Sequence, residues 1–280
     1  MSLELHRFEE DGKVGAEAIR DGRRVGWLVA SLQENEVRGR HVWAALEDHG
    51  LGEGETSDLY RDLYSESARL WVDAGYLDHY VVVPADPALL EAWYSLSFAQ
   101  QQVHGAQALG PLTPTEPQGF SVRQAGPDDI HAAMTLAFTI FDHQAEAPTW
   151  AGAPAPPEDE VRASFIEYLA DPEVTYFLAE RDDEPLGHLA LERESESTTY
   201  LSIAATAPEA RGLGVGKAMA EIALAWAYEQ GYGTCVTDWR SANLLAARFW
   251  PKRGFRPTAY RLHRSITLTP RDRHPRSARA

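Results

Sequence analysis

The sequence predicts an α/β fold built on a mixed sheet, and three observations carry that expectation. From Gly119 onward, short runs rich in β-branched and aromatic residues alternate with segments of helical apolar spacing. The order read from them, β-α-α-β-β-β-α-β-α-β, is that of an α/β sandwich with a mixed sheet. A helix, a Gly-Tyr pair, a strand and a second helix also occur twice along the chain, once in each half.

The second half supplies the elements in order. Phe120 to Ala125 reads as a strand, and "PDDIHAAMTLAFTIFDH" opens with Pro-Asp-Asp, a good first helical turn. A proline- and alanine-rich loop, "QAEAPTWAGAPAPPEDE", leads to the helix "EVRASFIEYLAD", which stops at Pro172. Three strand runs follow, "VTYFLAERD", "PLGHLALERE" and "TTYLSIAAT", with turns at "RDDE" and "SESES". Next comes a glycine-rich turn, then a helix with Val215, Met219, Ile222 and Trp226 on one face. "TCVTD" is a strand, "SANLLAARFWPK" a helix and "AYRLHRSITL" the last strand.

In the first half, "LYSESARLWVDAGYLDHYVVV" has the layout of "AMAEIALAWAYEQGYGTCVTD". Asp86 stands seven residues before Trp93, as Asn243 stands seven before Trp250, and Phe98 and Phe255 each follow their tryptophan by five. The first copy shows no β-α-α opening. The expected organisation is therefore a truncated copy over 1–109, a linker over 110–118 ("GPLTPTEPQ"), a complete copy over 119–268 and a disordered basic tail over 269–280. A truncated sheet exposes an edge and an apolar face, so the two copies are expected to pack as an intramolecular pseudo-dimer; a homodimer of chains is also admitted.

Composition narrows the function classes. A net charge of −16 disfavours nucleic acid; its first reading is solubility, and its second is attraction of a cationic substrate. No apolar run approaches a membrane span, no signal-peptide pattern opens the chain, and the single cysteine, Cys235, has no internal partner. These features point to the cytoplasm, with no membrane association. No metal-ligand spacing stands out, and no metal is expected.

The stretch "RGLGVGKAM" carries the chemistry. It follows a strand and opens a helix, where the first backbone N–H groups lack intrahelical acceptors and the helix dipole adds positive charge. Glycines let an anion approach the main chain, and Arg211 and Lys217 bracket the turn, so a phosphate or pyrophosphate is the natural guest. The phosphate-loop NTPase pattern fails at Arg211 and Ala218, and the Rossmann fingerprint fails at Lys217. By contrast, "TAPEARGLGVGKAM" resembles the acetyl-CoA signature of the GCN5-related N-acetyltransferase (GNAT) superfamily, V-x-P-x-x-R/Q-x-x-G-x-G/A. Thr206 takes the valine place, and Pro208, Arg211, Gly214 and Gly216 match. "NLLAARFWPKRGF" resembles that family's following motif at Asn243, Phe249, Gly254 and Phe255.

The resemblance covers 119–268 and implies the GNAT fold and acyl-CoA-dependent transfer of an acetyl group to an amine of a small molecule or peptide. The alternative is a non-catalytic acyl-CoA-binding regulatory protein. It implies that the pyrophosphate of acetyl-CoA rests on Arg211, Gly212, Leu213, Gly214, Val215, Gly216 and Lys217. The pantetheine arm would pair with Ala204, Ala205 and Thr206 and reach Asn243, which is also a ready helix cap. Many relatives place an acidic tyrosine where this chain has Trp250. Tyr200 and Glu192 are the candidate catalytic groups, with Asp238, His188 and His143 as other choices for the base.

"GLGEGE", Gly50 to Glu55, imitates the glycine turn, but Glu53 and Glu55 replace Val215 and Lys217 and would repel an anion. The first copy is therefore expected to hold no acetyl-CoA.

Overall fold

The structure, a computed structural model, describes residues 3–151 and 155–268. The tail 269–280 lies outside the described residues. The chain forms two compact units: the first takes residues 1–83, 87–99 and 262 onward, the second 84–86 and 100–261.

The first unit opens as an antiparallel meander of β1 (Leu3–Glu10), β2 (Lys13–Arg20), β3 (Arg23–Asn35) and β4 (Gly39–Ala44). Two-residue turns at Asp11-Gly12 and Asp21-Gly22 join the first three strands, all four residues at positive φ, the Asp-Gly chemistry of a tight hairpin. The short β5 (His49–Leu51) pairs with β3. Then come α1 (Leu59–Asp73), β6 (Asp78–Pro84) and α2 (Pro87–Ser95). Small buried residues on the meander (Ala16, Ala18, Ala30) leave room for Leu59, Leu63 and Trp71 of α1. Trp93 and Phe98 meet edge to face at 5.0 Å, and Tyr64 and Phe98 at 5.2 Å. Residues 262–265 return to this unit, where His263 stacks on Tyr80 at 4.4 Å.

The second unit contains β7 (Ala99–Ala108, from Gln100), β8 (Ser121–Ala125), α3 (Ile130–Ala137), α4 (Thr139–Ala145) and α5 (Glu158–Ala170). It continues with β9 (Val174–Arg181), β10 (Glu184–Arg193), β11 (Thr198–Thr206), α6 (Val215–Glu229) and β12 (Thr234–Arg240). Last are α7 (Leu244–Phe249) and β13 (Arg256–Ser265), which belongs to this unit up to Arg261. Its strand order is β13-β7-β12-β11-β10-β9-β8, and from β7 to β8 only β11 and β12 run parallel. Against one face, α6 packs Val215, Met219 and Ala223 onto Leu189, Leu191, Leu201 and Phe177. On the other, α3 and α5 bring Ala133 and Leu169 to Tyr176 and Ala190.

Three expectations change here. The cut at 110–118 falls inside the second unit, because β7 pairs with β12 from Ala108↔Thr234 to Gln102↔Arg240. The stretch read as a linker lies along α6: Thr115 N–H donates to Glu221 Oε2 (3.0 Å) and Lys217 Nζ to Thr115 Oγ1 (3.1 Å). The first unit also has an opening strand. β1 lies antiparallel to β2 at the sheet edge, as β8 does to β9, and the Asp11-Gly12 turn stands where the second unit carries helices.

Corresponding elements of the two units share local geometry. α1 and α6 end in a positive-φ glycine, with Tyr76 N–H to Trp71 O (3.0 Å) and Tyr232 N–H to Ala227 O (3.1 Å). Phe98 N–H reaches Trp93 O (3.2 Å), and Phe255 N–H reaches Trp250 O (3.3 Å). A parallel pair flanks each long helix, β4 with β6 and β11 with β12, although the short β5 intervenes between β4 and α1 in the first unit.

Both units bury histidines. Burial lowers His79 and His188 from 6.5 to about 4. An unfolded chain takes up these protons as pH drops below 6.5, whereas the folded one refuses them until about 4. Their stabilising contribution is therefore complete above 6.5 and fades toward 4. At pH 5 each histidine is expected to cost on the order of 2 kcal/mol. Urea unfolding at pH 7.5 and pH 5 checks this: the loss should shrink by about that amount in His188→Gln, and an undiminished loss would acquit His188.

Candidate functional site

β11 and β12 are paired only from Thr198↔Thr234 to Leu201↔Thr237. Beyond that point the main chain of 202–206 has no register partner on β12. A bulge coincides with the divergence: on β10, Ala190 faces Ile203 while Leu191 faces Leu201, so Ser202 is the extra residue. Ala204, Ala205 and Thr206 thus keep β10 on one side, at Leu189, His188 and Gly187, and an open edge on the other.

The glycine turn stands at the end of this edge. Gly212 and Gly214 both have φ +85° with open space where a Cβ would be, and Gly214 is the left-handed N-cap of α6. Arg211 to Gly214 are exposed. The intrahelical ladder begins with Ala218 N–H to Gly214 O (3.0 Å), so the amides of the preceding turn lack intrahelical acceptors. A Cβ on Gly216 would lie 3.1 Å from Thr206 Oγ1, so the turn and the strand end press together there. Val215 is buried and anchors α6 in the core. Lys217 is exposed, but its ammonium is engaged with Thr115 and lies 3.6 Å from Glu221. The structure thus sets the strand end at Thr206 against the glycine turn at Gly216 and gives Lys217 a second occupation.

Asn243 caps α7: its Oδ1 accepts from Leu245 N–H (3.1 Å) and Ala246 N–H (3.2 Å). The same oxygen lies 3.2 Å from His143 Nε2, a contact across 100 residues that the sequence did not signal.

Glu192 and Tyr200 are direct cross-strand neighbours. Tyr168 on α5 donates to Glu192 Oε1 (2.6 Å) and is bonded to Ser202. Tyr200 donates to Asp238 Oδ1 (2.6 Å), whose Oδ2 takes Gln102 Nε2. Burial first, then Asp238, raises the Tyr200 hydroxyl well above its ordinary value, and burial with the Glu192 bond does the same for Tyr168. Both phenols are neutral donors at physiological pH. Reading along the sequence missed Tyr168 and Gln102, because neither has a local motif. His188 is fully buried, bonded to Tyr176 and neutral, so it is shielded from the proton traffic it was weighed for.

Trp250 is buried between Phe249 (4.9 Å) and Phe255 (5.3 Å). These edge-on contacts are a packing arrangement. Trp250→Phe is expected to keep kcat within a few-fold of wild type in an acetyl-CoA turnover assay. A loss of several hundredfold in the folded variant would give the indole N–H a chemical role.

The imitation at Gly50 to Glu55 has a different cause. Gly50 lies in β5, and a Cβ there would fall 2.3 Å from the Trp27 ring. Glu55 is paired with Arg20 at 2.9 Å, and α1 starts only at Leu59, so these glycines do not form its first turn. Among the described residues no group of three His, Cys, Asp or Glu could hold a metal ion, and no helix is long and apolar enough to cross a membrane.

Residues 138–255 match the family model described as acetyltransferase (GNAT) family. No curated protein sequence matches the chain. Its structure is similar to a GCN5-related N-acetyltransferase from Sphaerobacter thermophilus, with a TM-score of 0.62 and 15% identity over 93% of this chain and 84% of that one. A GCN5-related N-acetyltransferase from Kribbella flavida gives 0.52 and 16%, over 88% of each chain. A tandem GNAT protein from the clavulanic acid biosynthesis pathway gives 0.53 and 14%, over 95% of this chain and 84% of that one. At these identities the likeness carries the fold alone. Fold, motif order and the matched segment agree: residues 138–255 carry the likeness to the GNAT acetyltransferase family.

Proposed function

We propose that the protein is an acyl-CoA-dependent N-acyltransferase that transfers acetyl from acetyl-CoA to an amine of a small molecule or peptide. The observation that carries this reading is the exposed, left-handed glycine turn at the end of a strand whose outer edge is open. The pyrophosphate rests on the amides of 212–217, and the pantetheine arm extends along Ala204 to Thr206. Arg211 adds charge, and Lys217 reaches the phosphates only by leaving Thr115 and Glu221. Asn243 positions α7 beside the arm.

Glu192 and Tyr200 line the acceptor side on the α3–α5 face. There Tyr200 acts as a hydrogen-bond donor, since its raised pKa disfavours the phenolate a base would need. The two units derive from one repeated GNAT plan, and the first lacks the helices after its opening strand and the glycine turn before its long helix. A titration of the full chain with CoA is accordingly expected to give one site, and two equivalent sites would overturn the idea of a degenerate copy.

Free-thiol release from acetyl-CoA across a panel of primary amines tests the reading. The buried Trp250 favours a second one, an acyl-CoA-binding protein without turnover, because it leaves no proton donor for the departing thiolate at that place. CoA binding with no thiol release would select it. Absence of CoA binding would remove both.

A further inference from the structure

Asp238 stands at the point where the two parallel strands part. The last register pair is Leu201↔Thr237, so Asp238 is the first β12 residue beyond it. Both oxygens are held, one by Tyr200 on β11 and the other by Gln102 on β7. A carboxylate offers about four lone-pair sites. Two donors therefore fix its plane and leave about two sites open. Both donors are neutral, so they orient the carboxylate without cancelling its charge. His104, directly across the β7–β12 ladder, does not cancel it either. Burial lowers its pKa more than the nearby Asp238 raises it, and Arg261, held by Gln101 at 2.8 Å, lowers it further. Glu192 and Glu194 add negative potential around Tyr200.

We propose that Asp238, oriented by Tyr200 and by Gln102 of β7, binds the ammonium group of the acceptor at the mouth of the β11–β12 opening, so that the acceptor is a protonated aliphatic amine. This rests on the acyltransferase reading. It assigns Asp238 to binding and makes Gln102 a positioning residue that acts through it. An oriented carboxylate is matched to an ammonium, whose three N–H donors can use the remaining lone pairs. A neutral acceptor gains nothing comparable, and an anionic one meets the repulsion of the surrounding carboxylates.

The test uses the full chain saturated with CoA and cadaverine as the probe, with glutarate as the anionic control. Calorimetry is expected to detect cadaverine and not glutarate. Asp238→Asn should weaken cadaverine binding at least tenfold, Asp238→Glu should restore most of it, and Gln102→Leu should weaken it by a few-fold. CoA affinity should stay within twofold in all three. That split separates an acceptor role from general damage, which would lower both affinities. No cadaverine binding to the CoA-loaded wild type, equal binding of glutarate, or unchanged binding in Asp238→Asn each overturns the proposal. Failure of the wild type to bind CoA instead overturns the acyltransferase reading on which it stands.

Discussion

A fragment running from Gly119 to Ala280 is expected to aggregate or to fall below a hundredth of the full chain's acetyl-CoA turnover. The cut removes β7, which lies between β12 and β13. β12 would then present an unpaired edge along the whole ladder from Thr234 to Arg240. Each lost main-chain bond is worth about 0.5–1.5 kcal/mol. Several together consume much of the roughly 5–15 kcal/mol that holds an ordinary domain folded. The loss extends to side chains. Trp239 packs where a Cβ on Gly105 would sit 2.8 Å from its ring, and without β7 that ring face is bare. Arg261 loses Gln101, and Asp238 loses Gln102. A fragment beginning at Gln100 keeps the strand and is expected to be more soluble than one beginning at Gly119. Size-exclusion chromatography and turnover on the three proteins decide the matter. A monomeric, fully active Gly119 fragment would show that β7 is dispensable.

Gly214→Asp is expected to weaken CoA binding by at least a hundredfold while the fold persists. The backbone cost is small: φ is +85°, aspartate tolerates the left-handed region better than most residues, and a Cβ meets nothing within 4 Å. The penalty for leaving glycine is about 1–2 kcal/mol. The electrostatic change is larger at the site than in the fold. The new carboxylate sits at the N-terminus of α6, where it can take the outward amides that the pyrophosphate needs, and it repels the phosphates. Circular dichroism and thermal melting establish the fold, and calorimetry with CoA measures the loss. Unchanged affinity in the folded variant would remove the glycine turn from the site.

Much of the second unit could be read directly. The strands from Val174 to Thr206, the helix after the glycine turn and its buried face at Val215 and Met219 lie close to where the periodicity put them. Their signals are local: apolar spacing, a proline stop, a left-handed glycine. The meander from Leu3 to Ala44 escaped notice because small residues such as Ala16, Ala18 and Ala30 fill its inner face, leaving little of the bulky alternation that marks a strand. β7, "AQQQVHGAQA", was illegible for a related reason. It is nearly all glutamine, alanine and glycine, and it is a strand because β12 and β13 supply its hydrogen-bond partners.

The amino-acid sequence by itself determined the α/β class, the helix–Gly-Tyr–strand repeat and the glycine turn with its matched residues from Pro208 to Gly216. Each of these is written in contiguous residues whose backbone preferences act over one or two turns. Only the tertiary structure decided that the N-terminal half lends β7 to the second unit. It likewise decided that the stretch around Thr115 is a strap on α6, that Gly50 is small for the sake of Trp27, and that Tyr200 answers to Asp238. Gln102 and Asp238 are 136 positions apart, and the bulge at Ser202 exists only against β10. Such pairings arise from which strand edges meet when the chain collapses. That is a property of the whole chain, and no window of the sequence contains it.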